Sequence, residues 1–205
     1  LDKFLVPHFK KEVLTKKREI SEKEIISACC NELEQLLIRG PFKPNDVANT
    51  AWEEMDSYPV VACSYGGRGQ NTTLVYVDAE GELQDELTIK NSKETKERDA
   101  ELVEDFLEKN EPAVAVVGAS HWDCKRLYAL LDEKKRRLSV RSQSRQRDEA
   151  FRPLLHVTYI DAEIAKIYPS TDLAQAEFPN KSTGVRSAVS LARRLQSPLH
   201  EFCRL

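Results

Sequence analysis

The chain lacks both paired-cysteine spacing and any long hydrophobic run. No CxxC pair and no histidine at zinc-ligand spacing accompanies its five cysteines, which are Cys29, Cys30, Cys63, Cys124 and Cys203. We therefore expect reduced thiols packed on apolar faces, in a reducing compartment. No apolar stretch approaches the roughly 20 residues of a membrane-spanning helix, so we expect no membrane partner.

An excess of charge of either sign is also missing. The 205 residues carry 31 basic and 34 acidic side chains, for a net charge of −3. No overall field therefore favours nucleic acid or an anionic membrane, and any basic site must be local. With 40% hydrophobic residues, the chain is long enough for one or two globular domains. Because it begins at Leu1 within a helical pattern, we expect it to be part of a longer protein.

Helical periodicity dominates the first 40 residues. The pattern predicts a helical arm over 1–40, built as two helices. Pro7 suits the opening of the first helix, and Ser21 to Glu24 has capping-box spacing for the second. A connector rich in proline and asparagine follows over 41–58, and the remaining residues, 59–205, form the main domain.

The main domain begins with three strand-like runs separated by short turns. They cover residues 59–64, 72–78 and 82–89, and predict an antiparallel meander. The chain then alternates between helix and strand, with a fully apolar strand at 112–119 and another strand at 154–160. This βββαβαβα order predicts a ribonuclease H-like mixed five-stranded sheet flanked by helices. The first strand is central in such a sheet, which places Ser64 at its functional edge.

Two stretches near the C-terminus indicate a particular family within this fold. Residues 161–179 run from Asp-Ala-Glu through Tyr-Pro-Ser to Glu-Phe-Pro, and residues 185–199 end in Ala-Arg-Arg-Leu-Gln-Ser-Pro-Leu. Both resemble the YqgF-type domain of the Tex and eukaryotic Spt-six transcription elongation factors, and residues 1–42 resemble the segment before that domain in the eukaryotic branch. The resemblance implies a nuclear histone chaperone that travels with RNA polymerase II, with histones or nucleosomes and the polymerase as partners.

The resemblance also implies where a nuclease would hold its metal ions. Active members of the ribonuclease H superfamily use carboxylates from the first strand, the fourth strand and the last helix. The corresponding positions here are Ser64, Ser120 and Arg186, of which none is acidic. Asp161 and Glu163 remain, either as N-terminal caps of the next helix or as the remainder of a metal site. We therefore predict no enzymatic activity, no metal and no cofactor.

A basic tract interrupts the domain between its last two strands. We predict a loop over 134–152 that either is simply solvated or contacts RNA or DNA phosphates. Its cations are Lys134, Lys135, Arg136, Arg137, Arg141, Arg145 and Arg147. No aromatic residue interleaves this tract to provide a stacking surface.

Three functions stay open from the sequence. The first is a catalytically degenerate scaffold and interaction module of the elongation factor. The second is a metal-dependent nuclease or an enzyme similar to a Holliday-junction resolvase. The third is a module that binds nucleic acid through the basic tract without cleaving it.

Overall fold

The computed structural model describes residues 2–38, 40–44, 55–67, 70–90, 95–145 and 155–205. The chain divides into two compact units, Leu1–Arg39 and Gly40–Leu205. Within the described residues, none of the helices combines the length and the apolar character that crossing a bilayer requires.

The first unit is one continuous helix, α1 (Asp2–Ile38). The prediction of two helices is therefore wrong, and Pro7 lies inside α1 rather than opening it. Two ion pairs at i,i+4 spacing stabilise the helix: Lys16–Glu12 at 3.2 Å and Arg18–Glu22 at 3.0 Å. The second pair spans the predicted break at Ser21. No glycine or proline interrupts the helix there.

The second unit is built on a five-stranded sheet in the order β3-β2-β1-β4-β5. Its strands are β1 (Val60–Ser64), β2 (Thr72–Val77), β3 (Leu83–Ile89), β4 (Val114–Gly118) and β5 (His156–Ile160). The first three strands pair antiparallel, whereas β1, β4 and β5 run parallel. This arrangement confirms the predicted ribonuclease H-like fold with β1 at its centre.

Helices cover both faces of the sheet. They are α2 (Lys96–Asn110), α3 (Cys124–Arg145), α4 (Glu163–Ile167), α5 (Asp172–Glu177), α6 (Thr183–Gln196) and α7 (Pro198–Phe202), with a 3₁₀ turn at Tyr168–Ser170. Because successive strand residues face opposite sides, Val60 and Ala62 of β1 join the core beneath α6. Val61 and Cys63 join the core beneath α2 and α3.

The structure of the basic tract differs from the predicted loop. Helix α3 continues to Arg145, so the predicted loop over 134–152 is wrong from 134 to 145, and residues 146–154 lie outside the described residues. Acidic partners account for the helix. Arg136 and Arg137 pair with Asp132 and Glu133 one turn earlier, at 2.8 and 2.6 Å.

The cysteines are all unpaired, and they fall into two groups. Cys63 and Cys124 are buried, as predicted for core thiols. The same prediction is wrong for Cys29, Cys30 and Cys203, which are exposed. Burial raises the pKa of the Cys63 thiol far above its ordinary value, which keeps it protonated.

Candidate functional site

Three predicted site residues follow parallel strands and therefore share one edge of the sheet. Ser64 is the last residue of β1 and lies opposite Thr73 of β2. Ser120 follows β4, where its backbone N–H donates to the carbonyl oxygen of Gly118 at 2.9 Å. Asp161 follows β5 directly. The topology thus brings together two neutral hydroxyl groups and one carboxylate.

The carboxylate of Asp161 is held by a cation from α6. Nη1 of Arg194 donates to the backbone oxygen of Asp161 at 2.8 Å and to its Oδ2 at 3.3 Å. The Arg194 side chain is only 6% exposed, whereas that of Asp161 is 44% exposed, so solvent reaches the pair from the side of the carboxylate. The other oxygen, Oδ1, accepts the backbone N–H of Glu163 at 3.2 Å, as an acid does at the start of a helix. Both carboxylate oxygens of Asp161 therefore have protein partners, while Glu163 is exposed.

Arg186 is bound to backbone oxygens of the segment that leads into α6. Its Nε and Nη2 donate to the carbonyl oxygen of Phe178 at 3.1 and 2.8 Å. Longer bonds reach the carbonyl oxygens of Pro169 at 3.4 Å and Pro179 at 3.5 Å. The guanidinium group therefore holds the Glu-Phe-Pro segment in place.

A second set of motif residues forms a partly buried polar network. Arg193 donates from Nη2 to Glu177 Oε1 at 2.5 Å and from Nη1 to Glu177 Oε2 at 3.0 Å. The Tyr168 hydroxyl donates to Glu177 Oε2 at 2.8 Å. Burial raises the pKa of Glu177, but the bonds from Arg193 and Tyr168 outweigh it and leave that pKa below its ordinary value. Glu177 is therefore an ionised partner of Arg193 at neutral pH.

Helix α6 also binds the chain at the end of the sheet opposite Ser64, where β1 begins and β2 ends. Gln196 donates from Nε2 to the carbonyl oxygens of Tyr58 at 2.8 Å and Asp78 at 2.6 Å. Arg193 donates from Nε to the carbonyl oxygen of Gly81 at 2.7 Å. Gly81 has a φ of +88°, which favours glycine at this turn between β2 and β3. The Ala-Arg-Arg-Leu-Gln motif thus works as a set of cross-links between α6 and the chain around it.

Sequence analysis missed a group of side chains at the edge of β1 and β4. The rings of Tyr65 and His121 stack with centroids 5.9 Å apart and planes 20° apart. Trp122 comes next and is 75% exposed, with the Nζ of Lys125 3.6 Å from the centroid of its ring. The sequence signal that could have indicated this group is the His121-Trp122 pair, which comes soon after the buried strand β4.

The acids at this edge do not form a metal-binding set. Asp123 is the first acid after β4, and its carboxylate lies 3.5 Å from Nδ1 of His121 and 3.9 Å from Nε of Arg126. Across the described ranges, no group of three or more His, Cys, Asp or Glu side chains is placed to hold a metal ion. Two-metal catalysis needs several converging anionic oxygens.

Strand order, mixed strand direction and the covering helices define the class of this domain as ribonuclease H-like. Residues 57–205 match the family model described as "YqgF: Holliday-junction resolvase-like of SPT6", and the chain belongs to that family.

The chain is similar to curated transcription elongation factors over its whole length. It is 26% identical to "Transcription elongation factor SPT6" of Drosophila melanogaster, covering 100% of this chain and 12% of that protein. It is 26% identical to the SPT6 homolog of Arabidopsis thaliana, covering 97% and 12%, and 25% identical to spt6 of Aspergillus fumigatus, covering 92% and 14%. The chain therefore spans only a small part of these relatives.

One solved structure shows a distant likeness. It is described as "T. thermophilus RuvC in complex with Holliday junction substrate", with a TM-score of 0.41, 12% identity, and coverage of 71% of this chain and 95% of that chain.

Proposed function

We propose that this domain is a catalytically inactive ribonuclease H-like module that serves as a scaffold within a transcription elongation factor. The names of the relatives support the role in transcription elongation. We further propose, from the resemblance of the motif segments alone, that the parent protein works in the nucleus with the RNA polymerase II elongation complex and with histones or nucleosomes. The domain itself contributes a rigid sheet and the surfaces around it.

The Arg194–Asp161 pair is the observation that supports this proposal most directly. A metal ion bound by Asp161 would compete with a guanidinium group that already contacts the carboxylate at 3.3 Å. Displacing Arg194 from the carboxylate would leave a nearly buried cation with only the backbone oxygen of Asp161 as its hydrogen-bond partner among the described residues, which is unfavourable. The neutral hydroxyl groups of Ser64 and Ser120 cannot replace the missing negative charge.

A cleavage assay tests the proposal. The chain is incubated with labelled single-stranded RNA, single-stranded DNA and branched DNA in the presence of Mg²⁺ or Mn²⁺. We expect no products above those of an Asp161→Asn variant, which keeps an oxygen for Arg194 and Glu163 but loses the charge. Divalent-dependent cleavage that disappears in Asp161→Asn would establish the alternative, a nuclease or a resolvase-like enzyme.

The scaffold role requires a second experiment in the parent factor. Asp161→Asn removes the charge that a metal ion would need and keeps an oxygen that can accept from Arg194 and Glu163, so transcription elongation should be retained. Arg193→Ala breaks the network with Glu177 and should abolish or reduce elongation together with the stability of the domain. Loss of elongation in Asp161→Asn without loss of folded protein would overturn the scaffold proposal.

The basic tract has less support as a nucleic-acid site than its composition suggests. Lys134 is 3% exposed and pairs with Glu104, so it is not available to a phosphate group. Arg136 and Arg137 have acidic partners, which reduces the net positive charge of their surface. Contact through Lys135, Arg141, Arg145 or Arg147 stays a proposal. Deleting 141–147 should lower affinity and salt dependence only if that contact exists.

A further inference from the structure

We propose that Tyr65, His121, Trp122, Lys125 and Arg126 form a surface that binds single-stranded nucleic acid. We call these five residues the aromatic edge. The inference goes beyond the scaffold role and does not depend on whether the domain cleaves its ligand.

The aromatic edge contains a stacked pair of rings and one exposed indole, and the indole follows one ring of the pair in the chain. Tyr65 follows β1 and His121 follows β4, and these neighbouring parallel strands bring the two rings into a stack. Trp122 is adjacent to His121, and no other large hydrophobic residue that the structure describes is as exposed as Trp122. A single exposed aromatic residue is ordinary on a protein surface. An exposed indole beside a stacked pair is an arrangement that unpaired bases can extend.

Cations surround the rings in positions suited to phosphate groups. Lys125 covers one face of the indole, and the large exposed fraction of Trp122 leaves the other face accessible. The Arg126 side chain is 82% exposed. The acid in this group, Asp123, lies 3.9 Å from Arg126, and its side chain is only 11% exposed. Lys125 and Arg126 together outweigh the one charge of Asp123, so this group is positive although the whole chain carries −3.

This combination favours single strands over other partners. Bases in a duplex are already stacked on one another and cannot reach the indole, whereas unpaired bases can stack on it. A proline-rich peptide also binds exposed aromatic rings, but it gains nothing from a surplus of cations. The positive charge beside the rings thus points to an anionic ligand with planar groups.

Fluorescence of Trp122 gives a direct measurement. The chain has two tryptophans, so Trp52→Phe leaves Trp122 as the sole indole. We expect oligothymidylate and oligouridylate, added without divalent ions, to quench this fluorescence. We also expect the affinity to fall as salt rises. A blunt duplex of the same length should quench much less. Omitting divalent ions separates binding from any cleavage.

Substitutions identify the contacts. Trp122→Ala should weaken binding of a labelled oligonucleotide about ten- to a hundredfold, as loss of one stacking partner does, while Trp122→Phe should retain most of the affinity. Lys125→Gln should reduce the salt slope by about 0.7, the value for one contact with a single strand. Lys166→Gln, an exposed lysine on α4, is the matched control and should change neither quantity.

Three results would overturn the proposal. One is unchanged affinity in Trp122→Ala when circular dichroism shows an intact fold. Another is equal binding of duplex and single strands. The third is quenching by a proline-rich peptide without quenching by either oligonucleotide.

Discussion

Arg193 connects three parts of the domain through a single guanidinium group. It contacts Glu177 with two bonds, the turn at Gly81 with one, and the Tyr168 hydroxyl at 3.5 Å. Arg193→Ala should lower the free energy of unfolding by about 2–3 kcal/mol, since the partly buried Glu177 carboxylate loses two bonds and keeps only Tyr168 and Arg204, while the carbonyl oxygen of Gly81 loses its bond from Arg193. Urea unfolding measures the change.

Arg136→Ala provides the control for that experiment. Arg136 also makes an ion pair, with Asp132 at 2.8 Å, but its side chain is 79% exposed. Exposed pairs of this kind contribute roughly 0.3–0.5 kcal/mol. Equal effects of the two substitutions would show that the Arg193 network does not stabilise the fold.

Glu201 makes stability depend on pH. It is 1% exposed, and neither carboxylate oxygen has a hydrogen-bond partner among the described residues. Burial raises its pKa above the ordinary 4.5, as the Glu177 charge also does, while Ser190, Arg193 and Arg204 offset part of the shift. The native state therefore holds this proton more tightly than the unfolded chain does. The contribution of Glu201 is complete below about pH 4.5 and is lost as pH rises through the raised pKa.

Glu201→Gln should consequently stabilise the protein at neutral pH, because it removes a buried charge. The gain should vanish below about pH 4.5, where Glu201 is protonated in both states. Urea unfolding at the two pH values measures it, with Glu101→Gln at an exposed position as the control. Destabilisation at neutral pH would mean that Arg193 and Arg204 hold the carboxylate in its charged form.

At the scale of elements, a buried ion pair joins α2 to α3. Lys134 and Glu104 pair across the two helices with side chains only 4% and 11% exposed. Lys134→Met should lower the free energy of unfolding by about 3–5 kcal/mol, because Glu104 is then buried without that partner. Adding Glu104→Leu should recover most of the lost free energy of unfolding, since an apolar pair of similar volume can replace a buried ion pair.

The double variant is measured by chemical denaturation beside each single change. If Lys134→Met alone were neutral, the pair would not be holding α3 against α2. Lys134 would then be available for other partners.

The elements of the sheet could be predicted from sequence because each carries a strong local signal. Strand β1 is apolar from Val60 to Cys63, and β2 and β3 follow within short turns. The helical conformation of Lys134, Arg136 and Arg137 was missed because their cations pair with acids on α2 and one turn back. A count of consecutive cations does not reveal such partners.

The site could be predicted only in part. The resemblance to the ribonuclease H superfamily indicated Ser64 and Ser120 as the positions of metal ligands, with Asp161 as a remaining acid, and the ends of the parallel strands bring the three to one edge. It did not predict that Arg194, 33 residues after Asp161, would contact that acid. Nor did it predict the stack of Tyr65 on His121, since the two residues come from different strands and meet only in the folded sheet.

At the scale of the whole molecule, the core belongs to the second unit. Both hydrophobic clusters are made of residues from Phe42 onward, as far as the structure describes the chain. We therefore expect a chain that lacks residues 1–39 to keep a cooperative unfolding transition of the sheet unit. Near-ultraviolet circular dichroism measures the transition.

The far-ultraviolet signal should fall by the contribution of the 37-residue helix α1. Loss of the cooperative transition in the shortened chain would show that α1 is required for folding of the sheet unit.

The Arg194–Asp161 contact has a consequence for how this domain can evolve. On the proposed scaffold role, a metal-dependent activity would require acids at the positions of Ser64 and Ser120 and a neutral residue in place of Arg194. An acid added first would place more negative charge at the edge without an ion to neutralise it. Losing Arg194 first would leave the Asp161 carboxylate without its charged partner. On the proposed scaffold role, we expect each of these single substitutions to lower stability before a metal site is complete.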